Sequence, residues 1–177
     1  MKILLLTPLF PPDTGDPASY VKDLATRLSG HEVTLLIYGR LPEAVPNIKI
    51  ISIDKRQWLP LRLLKYTKSL WQNSEMTDLI IVNNAPSTEL PALFVSTLRP
   101  RTMHLCESDS IAKVAAQSGM YKIIHQLLKK RCQKTIGLPD DKLHKKPEVL
   151  PFIQIDETVH ARRERWWNNH LNELTSL

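Results

Sequence analysis

The first 39 residues constrain this chain more than any other stretch. A short apolar run, Ile3 to Leu6, is too brief for a helix and meets Pro8, Pro11 and Pro12, so it reads as a strand feeding a rigid loop. Asp16 is placed to cap a helix with Pro17 at its first position. Tyr20, Val21, Leu24, Ala25 and Leu28 then recur at helical spacing until Gly30. A second apolar run, Val33 to Ile37, follows directly. Strand, helix and strand joined this closely form a βαβ unit. Such a unit predicts a parallel sheet whose ligands bind beyond the carboxyl ends of its strands.

The alternation continues along the chain. Ile48 to Ile53 reads as a third strand, Leu59 to Trp71 as a helix, Asp78 to Asn83 as a fourth strand, and Ser87 to Leu98 as a helix capped by Ser87. Thr102 to Cys106 is a fifth strand. A helix capped by Asp109 carries Ile111, Val114 and Ala115, breaks near Gly119 and resumes with Ile123, Ile124, Leu127, Leu128 and Cys132. Thr135 to Leu138 and Pro147 to Ile155 complete the sheet, and His160 to Leu174 is one more, polar helix holding Trp166 and Trp167. The expected fold is α/β: three layers, doubly wound, with a mostly parallel, Rossmann-like sheet. Residues 1–156 form that domain and residues 157–177 a C-terminal helix or linker segment.

Pro11, Pro12 and Gly15, followed by Leu28, Gly30, His31 and Val33, stand where the N-terminal domain of the retaining GT-B glycosyltransferases (family 4-like) carries P-P-x-x-G-G and L-x-x-x-G-H-x-V. The chain resembles that acceptor-side half, and the stretch around Val149, Leu150, Pro151, Ile155 and Asp156 is similar to the segment closing it. The resemblance implies sugar transfer from a nucleotide sugar to a lipid-linked or polysaccharide acceptor. It covers nearly all of this chain but only half of such an enzyme. The implied partner is therefore a donor-binding domain or subunit, without which the chain is expected to be inactive. No cofactor is implied; the nucleotide sugar is a co-substrate only where a donor domain is present. The alternative is a non-catalytic partner subunit that keeps the fold and docks another protein. The family's second loop glycine is Asp16 here, and a carboxylate at a helix N-terminus competes with a phosphate for the same amides.

Residues at the carboxyl ends of the strands are the candidates for substrate contact: Gly15 and Asp16, Asn83 and Asn84, and Glu107, Ser108 and Asp109. The family places a His-Asp or His-Glu pair after the fifth strand. Here the nearby histidine, His104, falls inside the strand and reads as a core residue. No catalytic base is assigned.

At 177 residues, 42% of them apolar and 24% charged, the chain has the composition of an ordinary globular domain. It shows no apolar run long enough to span a bilayer and no signal peptide, so a cytoplasmic location is expected. Cys106 and Cys132 lie in unrelated contexts without metal-ligand spacing and read as reduced structural thiols. The net charge is +6. Residues 122–146 hold eight Lys or Arg against two Asp, a segment that matches the whole excess. A second basic stretch, residues 55–71, places Arg62, Lys65 and Lys68 between Trp58 and Trp71 with no acid. That pattern fits either a solvated helix face or an anionic membrane surface on the inner face of the membrane. Nucleic acid is not expected as a partner, because no reading motif accompanies the cations.

Overall fold

The computed structural model describes residues 1–13, 16–108, 117, 119–138 and 157–176. In chain order the elements are β1 (Lys2–Thr7), α1 (Asp16–Arg27), β2 (Glu32–Tyr38), β3 (Ile48–Ile53), α2 (Leu59–Ser74) and β4 (Leu79–Asn83). They continue with α3 (Pro86–Leu98), β5 (Met103–Ser108), α4 (Gly119–Arg131), β6 (Lys134–Leu138) and α5 (Glu157–Thr175). All six strands pair in parallel, in the order β3-β2-β1-β4-β5-β6. This is the expected Rossmann-like sheet. Gly15, Asp109 and the apolar runs expected around Ile111 and at Pro147 to Ile155 lie outside the described residues.

Period-2 alternation along each strand divides the core in two. Ile3 and Leu5 of β1, with Val33, Leu35 and Ile37 of β2 and Leu79 and Ile81 of β4, face α1 and α5. Leu4 and Leu6, with Leu36, Ile80, Val82, Met103 and Leu105, face α2, α3 and α4. Leu4, Leu5 and Leu6 are all wholly buried, which is why β1 reads as a continuous apolar run rather than an alternating one. Each such leucine contributes about 2 kcal/mol of burial.

Local chemistry sets the element ends. Asp78 lies just before β4 rather than within it, where its backbone N–H donates to Lys2 O and its carboxylate accepts from the Lys2 N–H at 2.7 Å. The cap of α3 is Ala85, not Ser87, because Pro86 takes the first helical position. Pro91 has no N–H to give the Ser87 carbonyl one turn earlier, and the Tyr38 hydroxyl donates to that carbonyl instead, at 2.9 Å. Strand β5 runs two residues further than its apolar pattern, so Glu107 and Ser108 are its last residues rather than loop residues.

Helix α5 is less polar in context than in sequence. Arg163, Trp167, His170 and Leu174 recur on one buried face. Trp167 stacks on Tyr20 at 5.7 Å between ring centroids, and Arg27 lies over the indole while pairing through both terminal nitrogens with Glu164 at 2.6 and 2.8 Å. Arg163 reaches Asp23 at 2.5 Å. At its far end the helix covers His104. The Leu174 carbonyl accepts from His104 Nδ1 at 2.8 Å, which fixes the proton on that nitrogen.

Burial holds His104 below its ordinary value of 6.5, against the hydrogen bond to Leu174, and nearby Lys134 adds to the depression. The unfolded chain therefore takes up this proton at a higher pH than the folded chain. Stability should fall as pH drops below about 6.5, because the unfolded state then binds more protons. Denaturant titrations at pH 7 and pH 5.5 should show this loss, and His104→Asn, which keeps a donor for Leu174 but does not titrate, should reduce it.

Candidate functional site

Strand order reverses between β1 and β4, so the loops leaving these two strands part at the carboxyl edge and open a crevice there. Thr7 ends β1 with its hydroxyl donating to Leu9 O at 2.9 Å. Asn83 ends β4 and Asn84 follows it, both buried, and both bind backbone. The Asn83 amide donates to Leu6 O at 3.2 Å. Asn84 donates to Ser108 O at 3.3 Å and accepts from the Ser108 N–H at 3.0 Å, closing the β4 and β5 ends together. Asp16 opens α1 on the other side of the crevice.

Beside this edge the structure assembles a chain of charged and polar groups that sequence reasoning missed. Glu89 sits in the first turn of α3 and is wholly buried. One of its oxygens accepts from the Tyr121 hydroxyl at 2.7 Å, and the other lies 2.9 Å from His125 Nδ1. His125 Nε2 lies 2.9 Å from Glu107 Oε1, and Lys129 Nζ donates to Glu107 Oε2, also at 2.9 Å. Spacing explains the assembly: Tyr121, His125, Leu128 and Cys132 follow one face in and just beyond α4, and that face packs on α3. A glutamate as the one charged residue on the inner surface of α3, together with Tyr121 and His125 one turn apart, is the signal the sequence carried.

An imidazole with a carboxylate oxygen against each nitrogen needs one proton more than a neutral ring and two carboxylates supply. Burial pushes the Glu89 carboxyl up, against the hydrogen bonds from Tyr121 and the attraction of His125. Burial also raises Glu107, but hydrogen bonds from Lys129 and His125 outweigh it and hold that carboxyl below the usual range. The outer carboxylate is therefore the more readily ionised of the two carboxyls, and Glu89 the more readily protonated. The array ties the end of β5 to the α3–α4 interior through an unbroken run of polar contacts. Next to Lys129 a recess of about 430 Å³ is lined by Gln126, Lys129 and Lys130. Among the described residues, no group of three or more His, Cys, Asp or Glu could hold a metal ion.

The basic residues of α2 divide into two kinds. Trp58 precedes the helix and is 76% exposed, and Lys65 and Lys68 project into solvent. Arg62 is held instead, donating to Lys55 O at 3.0 Å and lying over the Tyr38 ring. Trp71 is half-buried beneath Arg99. No described helix is long and apolar enough to cross a membrane.

No family model and no curated protein matches the sequence. Among solved structures, a crystal structure described as a UDP-N-acetylglucosamine 2-epimerase from Listeria monocytogenes superposes with a TM-score of 0.55 at 15% identity. The match covers 77% of this chain and 39% of that chain. This is a likeness of fold. The chain is a Rossmann-like half-domain of the GT-B-like kind, and it spans well under half the length of that neighbour.

His125 tests the array. In His125→Ala the buried Glu89 loses its nitrogen partner, which should cost about 3 kcal/mol at pH 7. With only the Tyr121 hydroxyl left as a donor, buried Glu89 is favoured in its protonated form, and the unfolded chain releases that proton at lower pH. The deficit should therefore shrink on going to pH 5, as read from denaturant midpoints at the two pH values.

Proposed function

We propose that this chain is the acceptor-side half of a glycosyltransferase of GT-B architecture, of the retaining, family 4-like kind. It works in the cytoplasm on a lipid-linked or polysaccharide acceptor. The nucleotide sugar belongs to a second, donor-binding domain or subunit. The observation that carries the reading is the β1–α1–β2 corner. Pro11 and Pro12 leave β1 at the strand-order reversal, and Gly30, His31 and Val33 lead into β2, on a half-domain like part of a protein named for a sugar nucleotide.

On this reading the acceptor lies along the carboxyl edge, bordered by Asp16, Asn83 and Asn84, and Glu107 and Ser108; Gly15 and Asp109, the other two expected contacts, lie outside the described residues. The asparagines hold the strand ends rather than the sugar, and Glu107 offers a fixed anionic acceptor for a sugar hydroxyl. Transfer needs the leaving diphosphate to be clamped and neutralised from the donor side, since positioning and electrostatic stabilisation supply most of the rate. A second reading, a non-catalytic subunit that docks another protein, is favoured by one observation. Asn83, Asn84 and Glu107 are already satisfied within the protein.

Residues 1–177 titrated calorimetrically with a panel of nucleoside diphosphate sugars should bind weakly at best and transfer nothing. A micromolar dissociation constant would overturn the division of labour. Amide resonances of residues 83–84 and 107–108 should shift on adding polyprenyl-linked or oligosaccharide acceptors. If they stay in place with every acceptor, the docking-subunit reading replaces the transferase one.

A further inference from the structure

The two helix layers of this domain carry different surfaces. Helices α1 and α5 mix acidic and basic residues, as solvated helices do. Helices α2, α3 and α4 contain a single carboxylate between them, Glu89, and it is buried. Within these three helices every exposed charge is therefore positive; Glu75, just past the end of α2, is exposed and pairs with Arg99.

The same layer exposes apolar side chains in rows. On α3, Leu90, Phe94 and Leu98 recur every four residues and are 40%, 55% and 59% exposed. On α4, Met120, Ile123 and Leu127 are exposed in the same way, and on α2 Leu61 and Leu64. Helix α3 packs between α2 and α4. Because each helix connects parallel strands of one sheet, the three run side by side in the same sense and present one broad face. Lys65 and Lys68 border it on α2, and Lys122, Lys130 and Arg131 on α4. A stripe of large exposed apolar residues within a rim of one charge marks an interaction site rather than ordinary surface.

We propose that this α2–α3–α4 face is a peripheral membrane-binding surface that seats on an anionic phospholipid bilayer. The leucines and Phe94 enter the headgroup region, and the lysines pair with lipid phosphates. Two features select lipid over a protein partner. The free cations are nearly all lysines, which protein interfaces deplete. The apolar residues also run across three helices inside that lysine rim, a wide and shallow band suited to the headgroup region, rather than lining one desolvated pocket. Trp58, exposed at the head of α2, extends the face with a ring suited to the headgroup level. This inference is independent of the sugar-transfer reading.

The test is co-sedimentation of the 177-residue chain with vesicles of phosphatidylglycerol and phosphatidylcholine in equal parts, and of phosphatidylcholine alone. Binding is expected to the first at low salt, to weaken as salt screens the cations, and to be absent with the second. The fourfold variant Lys65→Glu, Lys68→Glu, Lys122→Glu, Lys130→Glu should lose at least about tenfold in vesicle affinity. Phe94→Ser with Leu98→Ser should weaken it through the apolar contribution alone. These sites are exposed, so circular dichroism should show a folded protein, and the salt and lipid dependence of the unaltered chain stands apart from any variant. Failure to sediment with anionic vesicles at low salt would overturn the proposal. So would equal binding to both vesicle types, binding unaffected by either variant, or a dimer in gel filtration that Phe94→Ser dissociates, which would assign the face to a second copy of the chain.

Discussion

Everything in this domain depends on a parallel sheet that must be dry on both faces. Parallel strands joined by crossover helices leave no solvent-facing side, so β1 and β4 carry apolar residues at successive positions: Ile3 to Leu6, and Leu79 to Val82. The requirement for two covering layers explains why α1 and α5 stand on one face and α2, α3 and α4 on the other. Pairing of β1 with both β2 and β4 reverses the strand order at the centre and opens the crevice at the carboxyl edge, where loops from both halves meet.

The two layers meet different demands. Helix α5 must return from a distant part of the chain, and its docking relies on specific pairs: the bidentate Arg27–Glu164 contact, Arg163 with Asp23, and Trp167 on Tyr20. The other layer is held by apolar packing and by one buried polar array. Glu89 on α3 would be costly alone, and α4 supplies Tyr121 and His125 to meet it. The array ties the α3–α4 interface to the end of β5 through Glu107, so the edge of the crevice and the packing of the outer helices are one connected structure.

Some features could be seen in single stretches of sequence. Strands of four to six apolar residues and helices with one apolar stripe are local patterns, and among the described residues their positions agreed with the structure to within a few residues. The boundaries that moved did so for local reasons that are harder to see. Pro86 outranked Ser87 as the start of α3, and β5 kept its pairing through Glu107 and Ser108 because β6 and Asn84 hold it there. The polar appearance of His160 to Leu174 misled, because its buried face is made of Arg163 and His170 as well as Trp167 and Leu174. Amphipathic residues bury their bodies when partners such as Asp23 and Tyr20 satisfy their polar ends, and those partners lie far away in sequence.

By itself, the sequence determined the α/β class, the parallel sheet, the first βαβ corner and the clustering of positive charge, because each follows from periodicity or composition within a short window. Only the tertiary structure decided which polar residues meet. Glu89, Glu107 and His125 are separated by 18 and 36 residues in sequence, and no local pattern records that three elements bring them within hydrogen-bond distance. It also decided which leucines are core and which are surface. Leu90 and Leu127 differ little from their neighbours as letters. Their exposure depends on what packs against each side of a helix, a property of the assembled layers rather than of the chain.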